Sequence, residues 1–272
     1  MAITNSINTN IGATVALRSL NRTNMALSKV QNRVSTGLKV IGAKDDASSF
    51  AIAQGIRAEV KAVGAVQQGI NNAKGVASVA LAGVTEISNL LGDIKKKIIE
   101  GMNPANTTSQ QAILAADYTE LVANVKNFVL NATFNGKNII SSANGVNVIA
   151  DTSGGTLAIT AQNMSAVFNA LAAVGLATTA AATAALAVSN TQIDTVNTSL
   201  AGLGSDFRAL EFQDNFLNAI SDALTEGLGA IVDADLAKES AELQALQVKQ
   251  QLGIQALSIA NSSPQSILGL FR

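Results

Sequence analysis

Asp45 and Asp46, following Lys44, are the residues of this sequence most easily read as chemistry, because paired carboxylates can share general acid and base work. Neighbouring residues on a helix do not converge on one substrate atom, however. A carboxylate just ahead of Ala47 to Ile56 is better suited to capping a first helical turn. Lys95-Lys96-Lys97 is the other dense cluster of charge, and three lysines flanked by Ile94 and Ile98 make a poor nucleic-acid site. They are expected on a solvated or subunit-facing side of a helix.

The chain has no Cys and no His. That removes thiol nucleophiles, disulfides, the usual general base and the two commonest transition-metal ligands. No catalytic, cofactor-binding or metal-binding residue is predicted, and the chain is read as a protein that is not an enzyme. A net charge of −1 gives no electrostatic case for nucleic acid or for an anionic membrane surface. Six Asn-x-Ser/Thr matches, at Asn21, Asn106, Asn131, Asn163, Asn197 and Asn261, are expected by chance in a sequence so rich in Asn, Ser and Thr.

The elements that would position any such groups are long helices. Hydrophobic residues make up 48% of the 272 residues while aromatics make up 3%, and the only prolines are Pro104 and Pro264. Val63, Val66, Ile70, Ala73, Ala77, Ala80, Val84, Ile87, Leu91, Ile94 and Ile98 recur at alternating steps of three and four. This is a coiled-coil seam on a helix predicted from Asp45 or Asp46 to near Gly101. A second stripe runs through Leu114, Tyr118, Leu121, Val125, Phe128 and Ala132. A third runs through Ile193, Val196, Leu200, Leu203, Phe207, Leu210, Asp214, Leu217, Ser221 and Leu224. Three seams predict a bundle.

Between the second and third stripes, Asn135-Gly136 and Gly154-Gly155 mark turns, and Lys137–Ile140, Val146–Ala150 and Thr156–Thr160 suit short strands. The stretch Leu171 to Val188 is apolar enough to raise the question of a membrane span. Its Ala content, with Gly175, Thr178, Thr179 and Thr183, predicts a closely packed helix instead. The fold class expected is mainly α: a long antiparallel helical coiled-coil bundle with a small β-hairpin region and paired terminal helices.

Projected at about 100° per residue, the first helix has one apolar sector of Leu17, Leu20, Leu27, Val30 and Val34, and an opposed one of Ile7, Ile11, Val15 and Met25. The last helix has Leu236, Leu243, Leu246, Ile254 and Leu257 on one side and Val248, Leu252 and Ile259 on the other, with Leu268 and Leu270 beyond. A surface helix needs one apolar stripe; two opposed stripes require partners on both sides. The other terminal helix can be one partner, and further subunits the second.

Leu27 to Ile52, reading LSKVQNRVSTGLKVIGAKDDASSFAI, resembles the N-terminal block of bacterial flagellins. Thr133-Phe134-Asn135-Gly136, Asp233-Ala234-Asp235 and Pro264-Gln265-Ser266-Ile267-Leu268 with the terminal Arg272 are also similar to that family. The resemblance is to a short, alphaproteobacterial-like flagellin without outer domains, and the hook-filament junction proteins of the same superfamily are the alternative. It implies a secreted, extracellular subunit of the flagellar filament, exported through the flagellar type III apparatus and used for motility. Its partners would be further copies of itself, sister flagellins, an export chaperone, the filament cap and the hook-junction proteins, with no nucleic acid and no membrane. Residues 1–43 with 229–272 would form the terminal polymerisation domain, and 44–228 a coiled-coil domain with a hairpin region near 134–162.

The resemblance also makes Ser141, Ser142, Thr152, Ser153 and Thr156 candidates for O-linked sugars. Flagellins sensed by the innate receptor TLR5 carry Arg, then Glu and Leu, on the outer part of the long helix. Here Asp93, Lys96 and Lys97 stand at the aligned positions. Reversed charge disfavours that partner.

Overall fold

The computed structural model describes residues 9–141 and 143–268, the side chains of 263–268 excepted. Ile7, Ser142 and Leu270, and the side chain of Leu268, lie outside the described residues. The elements are α1 (Ile11–Thr36), α2 (Ala47–Gly101), α3 (Thr108–Asn131), β1 (Val146–Ile149), β2 (Thr156–Ile159), α4 (Met164–Ala172), α5 (Thr179–Val232) and α6 (Leu236–Leu268). They belong to two compact units, Met1–Ala58 with Leu224–Arg272 and Glu59–Ala223.

Local chemistry sets the ends of the helices. The Asn10 side chain accepts from the Ala13 N–H to begin α1, which stops at Gly37 with φ of 72°. That left-handed turn lets Gly37 N–H donate to Arg33 O at 2.8 Å. Asp46 Oδ1 accepts from Ser48 and Ser49 N–H, and Oδ2 from the Ser49 hydroxyl, so this carboxylate starts α2. These bonds, led by the Ser49 hydroxyl, hold Asp46 below the usual carboxylate range. Thr107 and Gln110 form a reciprocal capping box for α3.

In the second unit, all eleven positions of the α2 seam from Val63 to Ile98 are buried. Along the opposing α5, Val196, Leu203, Leu210 and Leu217 are buried one heptad apart. Ile193, Leu200, Phe207, Asp214 and Ser221 are half-buried beside them, and Leu224, in the first unit, is half-buried as well. Gln67 Nε2 donates to Asn218 Oδ1 at 2.8 Å, and Lys74 pairs with Asp214 at 3.1 Å, so the two helices run antiparallel.

Three sequence expectations are corrected. On α3 the buried track is Gln111, Tyr118, Val122, Val125, Val129 and Ala132; Leu121 is half-buried and Phe128 is exposed. The two tracks share Tyr118, Val125 and Ala132, and the structure turns Val122 and Val129 inward in place of Leu121 and Phe128; Tyr118 donates its hydroxyl to Leu171 O of α4 at 2.7 Å. Lys137–Ile140 is not a strand. The Ile140 and Ser141 amides donate to Asn138 Oδ1, while the Ile139 and Ile140 carbonyls accept from Gln162 and Met164, so no ladder forms. The apolar run from Leu171 to Val188 is not one helix, since α4 ends at Ala172 and α5 starts at Thr179. Its Leu171, Leu176, Ala182 and Ala185 are fully buried.

Among the described residues only α2 is long and apolar enough to cross a membrane, judged on length and composition. β1 and β2 pair antiparallel from Val146↔Ile159 to Ile149↔Thr156. Asp151 Oδ1 accepts from the Ser153 and Gly155 amides to close their turn.

Candidate polymerisation surface

α1 and α6 pack against each other along most of their length. The residues turned inward follow steps of three and four on both helices: Ala13, Ala16, Leu20, Thr23, Leu27, Val30 and Val34 against Glu239, Leu243, Leu246, Gln250, Gly253, Leu257 and Ala260. Val30, Glu239 and Leu246 are buried and the rest half-buried. Three polar contacts pin the antiparallel register. Asn10 Nδ2 donates to Ala260 O at 2.6 Å, Gln250 Nε2 to Asn24 Oδ1 at 2.8 Å, and Arg33 Nη1 to Glu239 Oε1 at 3.1 Å.

The Arg33–Glu239 pair is the least solvated of them. Its Arg33 Nε and Glu239 Oε2 atoms are buried with no hydrogen-bond partner. At its distal end the seam is built from Ala13, Ala16, Gly253 and Ala260. Small residues allow the backbones to approach closely, and none of these four stood out in the sequence, where large apolar residues carried the signal. Reading the three-four spacing through Ala, Gly, Thr and Gln would have found the track.

Large apolar side chains remain on the outside of this pair. Ile11, Val15, Leu17, Met25, Leu236, Val248, Leu252, Ile254 and Ile259 are exposed, from 47% for Leu17 to 71% for Ile259. Of the residues projected onto the inner sectors, Leu17, Leu236 and Ile254 therefore lie outside the pairing seam, whereas Leu20, Leu27, Val30, Val34, Leu243, Leu246 and Leu257 line it. Ile11, Val15, Met25, Val248, Leu252 and Ile259, the opposed sectors, face away from it.

The remaining candidates for chemistry are engaged in structure. Asp45 pairs with Lys29 at 3.5 Å, and Lys97 lies between Glu100 at 3.2 Å and Asp117 at 3.3 Å. Those two carboxylates, Glu100 first, raise the affinity of Lys97 for its proton. Phe134 lies over Gly75, where a Cβ would stand 2.7 Å from the ring. Thr152 donates its hydroxyl to Glu59 at 2.6 Å, Ser153 and Thr156 are exposed, and Ser141 is half-buried. No group of three or more metal-ligating side chains occurs among the described residues.

The bacterial flagellin N-terminal helical region matches residues 7–145, and the bacterial flagellin C-terminal helical region matches residues 186–271. The chain belongs to the flagellin family. Flagellin FljK of Caulobacter vibrioides is 40% identical over 276 residues, covering 98% of this chain and 99% of that protein. A flagellin of Brucella melitensis is 36% identical with the same coverage. The crystal structure of Bacillus cereus flagellin shares the fold at a TM-score of 0.51 and 20% identity, over 55% of this chain and 88% of that one. As a flagellin, the chain is a structural subunit of the bacterial flagellar filament, and the hook-junction alternative is not favoured. In this flagellin the matched regions contain both helices of the terminal pair.

Proposed function

We infer that this flagellin polymerises through the outer apolar faces of α1 and α6, residues 1–43 and 229–272 acting as the polymerisation domain and 44–228 as the coiled-coil domain behind it. One observation carries this reading: a helix pair already satisfied along its inner seam still exposes Val15, Met25, Val248, Leu252 and Ile259. Apolar area left in water after a helix has found its partner favours a further partner. A subunit offering different surfaces on its different sides makes head-to-tail contacts that do not close, and these build a helical filament.

The filament is extracellular. Export through the flagellar type III apparatus, and contacts with an export chaperone, the filament cap and the hook-junction proteins, follow from the family. Co-assembly with sister flagellins is supported by the several flagellins that one relative, Caulobacter vibrioides, possesses. The subunit catalyses nothing. Asp93 and Lys96 are exposed on α2, in keeping with weak recognition by TLR5, and a strong reporter-cell response to purified monomer would overturn that part.

Single charges tested on the outer faces decide the main reading. Val15→Glu, Val248→Glu and Ile259→Glu lie on exposed positions, where substitutions usually change stability by no more than about 0.5 kcal/mol. Electron microscopy after salt-induced polymerisation is expected to show monomers with unchanged helix content and no filaments. Normal filaments from all three variants would sink the assignment. Deleting Met1 to Val34, or everything from Leu252, should likewise abolish polymerisation.

A further inference from the structure

We propose that Asn144 is a site of spontaneous covalent modification, converting to aspartate and isoaspartate by deamidation. The sequence holds Asn-Gly at Asn135-Gly136 and at Asn144-Gly145. The reaction needs the following main-chain nitrogen to reach the Asn side-chain carbonyl carbon, and glycine obstructs that approach least because it has no Cβ. Gly145 N bonds to Asn144 Cγ, the Cγ–Nδ2 bond breaks, and ammonia leaves with the amide proton. The five-membered imide then takes up one water. Opening at Cγ gives aspartate; opening at the main-chain carbonyl gives isoaspartate, in which the chain continues through the side chain. Nothing is oxidised or reduced.

The two Asn-Gly pairs are held differently. Asn135 and Gly136 have φ of 47° and 74°, the paired left-handed conformations of a tight hairpin turn. Phe134 and Lys137 clamp that turn by exchanging N–H to carbonyl bonds of 2.9 Å in both directions. Gly136 N cannot swing toward the Asn135 side chain until the clamp opens. Asn144 and Gly145 are both exposed, lie in no helix or strand, and make no hydrogen bond through the Asn144 amide or the Gly145 N–H to any described residue.

The fold also prevents Gly145 from being exchanged for a slower-reacting neighbour. A Cβ there would stand 2.5 Å from Ile159 O. The close approach that lets Val146 open the hairpin by pairing with Ile159 thus requires the residue that speeds the reaction beside it. Isoaspartate would add a backbone carbon just ahead of that pair. Either product would place a carboxylate in the stretch 138–150, which has no charged residue.

The test uses the intact chain, held folded at mildly alkaline pH, and a urea-unfolded control. Trypsin cuts after Lys137, so Asn135 and Asn144 fall on different peptides. Mass spectrometry follows the exchange of amide nitrogen for oxygen on each peptide, and an isoaspartyl methyltransferase marks the isoaspartate. Asn144 is expected to react in the folded protein at close to its unfolded rate, while Asn135 slows several-fold on folding. Protection of Asn144 to the same degree as Asn135 would overturn the proposal. Asn144→Gln should abolish the change on its peptide and leave Asn135 untouched; a signal that persists would show another Asn to be the source.

Discussion

Leu20 packs against Gly253 so closely that a Cβ on the glycine would stand 3.2 Å from Leu20 Cδ1 and 3.8 Å from its Cβ. The contact divides substitutions at 253 by size. Alanine needs only a small give at the tip of a flexible side chain and relieves the glycine penalty of about 1 kcal/mol within a helix. Gly253→Ala is expected to be neutral or slightly stabilising. Gly253→Val adds methyl groups with nowhere to go and should destabilise the α1–α6 pair by about 1–3 kcal/mol. Hydrogen exchange along α1 reads this directly, and equal protection in both variants would contradict the close approach.

Removing one member of the Arg33–Glu239 pair strands the other in a largely buried place. Arg33→Met or Glu239→Leu alone should cost about 1–3 kcal/mol. The double variant should recover most of that loss, because no uncompensated charge remains. A double-mutant cycle in urea measures it, and additive losses would show that the two residues act separately.

Phe134 is roughly two-thirds buried over Gly75, so Phe134→Ala should cost about 2 kcal/mol, less than a fully buried phenylalanine. Gly75→Leu should destabilise the same contact from the other side by driving a side chain into the ring. A melting temperature unchanged in both would show that the ring is not held there.

Tyr118 is the only tyrosine, which makes its titration easy to follow. Burial pushes its hydroxyl up to about 12 from the ordinary value of 10.0. The folded state holds the proton more tightly than the unfolded one. The resulting stability is present in full below pH 10.0 and is lost as pH rises towards about 12. Tyrosinate absorbance should therefore appear together with the loss of helix. Tyr118→Phe removes the bond to Leu171 O, a carbonyl that keeps the Val174 N–H at 3.3 Å, and should cost about 1 kcal/mol; it should also flatten the alkaline limb of the stability curve.

How much could be read in the sequence depended on side-chain size. The α2 seam was legible because every third or fourth position is apolar from Val63 to Ile98, and no competing track exists. On α3, Leu121 and Phe128 compete with Val122 and Val129 for the same groove. Both pairs are apolar and both fit three-four spacing, so the local pattern does not separate them; the structure buries Val122 and Val129. In the terminal pair the bulky residues of α1 and α6 were legible but their division between inner and outer faces only partly so. Leu17, Leu236 and Ile254 sit outside the seam while Ala13, Gly253 and Ala260 sit within it. Close backbone packing is carried by atoms that are absent, and a hydrophobicity pattern does not register those. Lys137–Ile140 had the composition of a strand, but its Lys137 amide is taken by Phe134 O and its Ile140 amide by the Asn138 side chain.

The antiparallel union of α1 and α6 joins residues up to 250 positions apart, as between Asn10 and Ala260. Among the described helices, α1 is made first and its mate α6 last. α3 and α4 can meet as soon as the middle of the chain is made. α1 must wait until α6 has been made, and contacts of such long sequence separation form slowly because the loop must close before any contact rewards it. Until α6 has been made, α1 is an amphipathic helix without its mate, and the apolar outer face that the pair exposes does not yet exist.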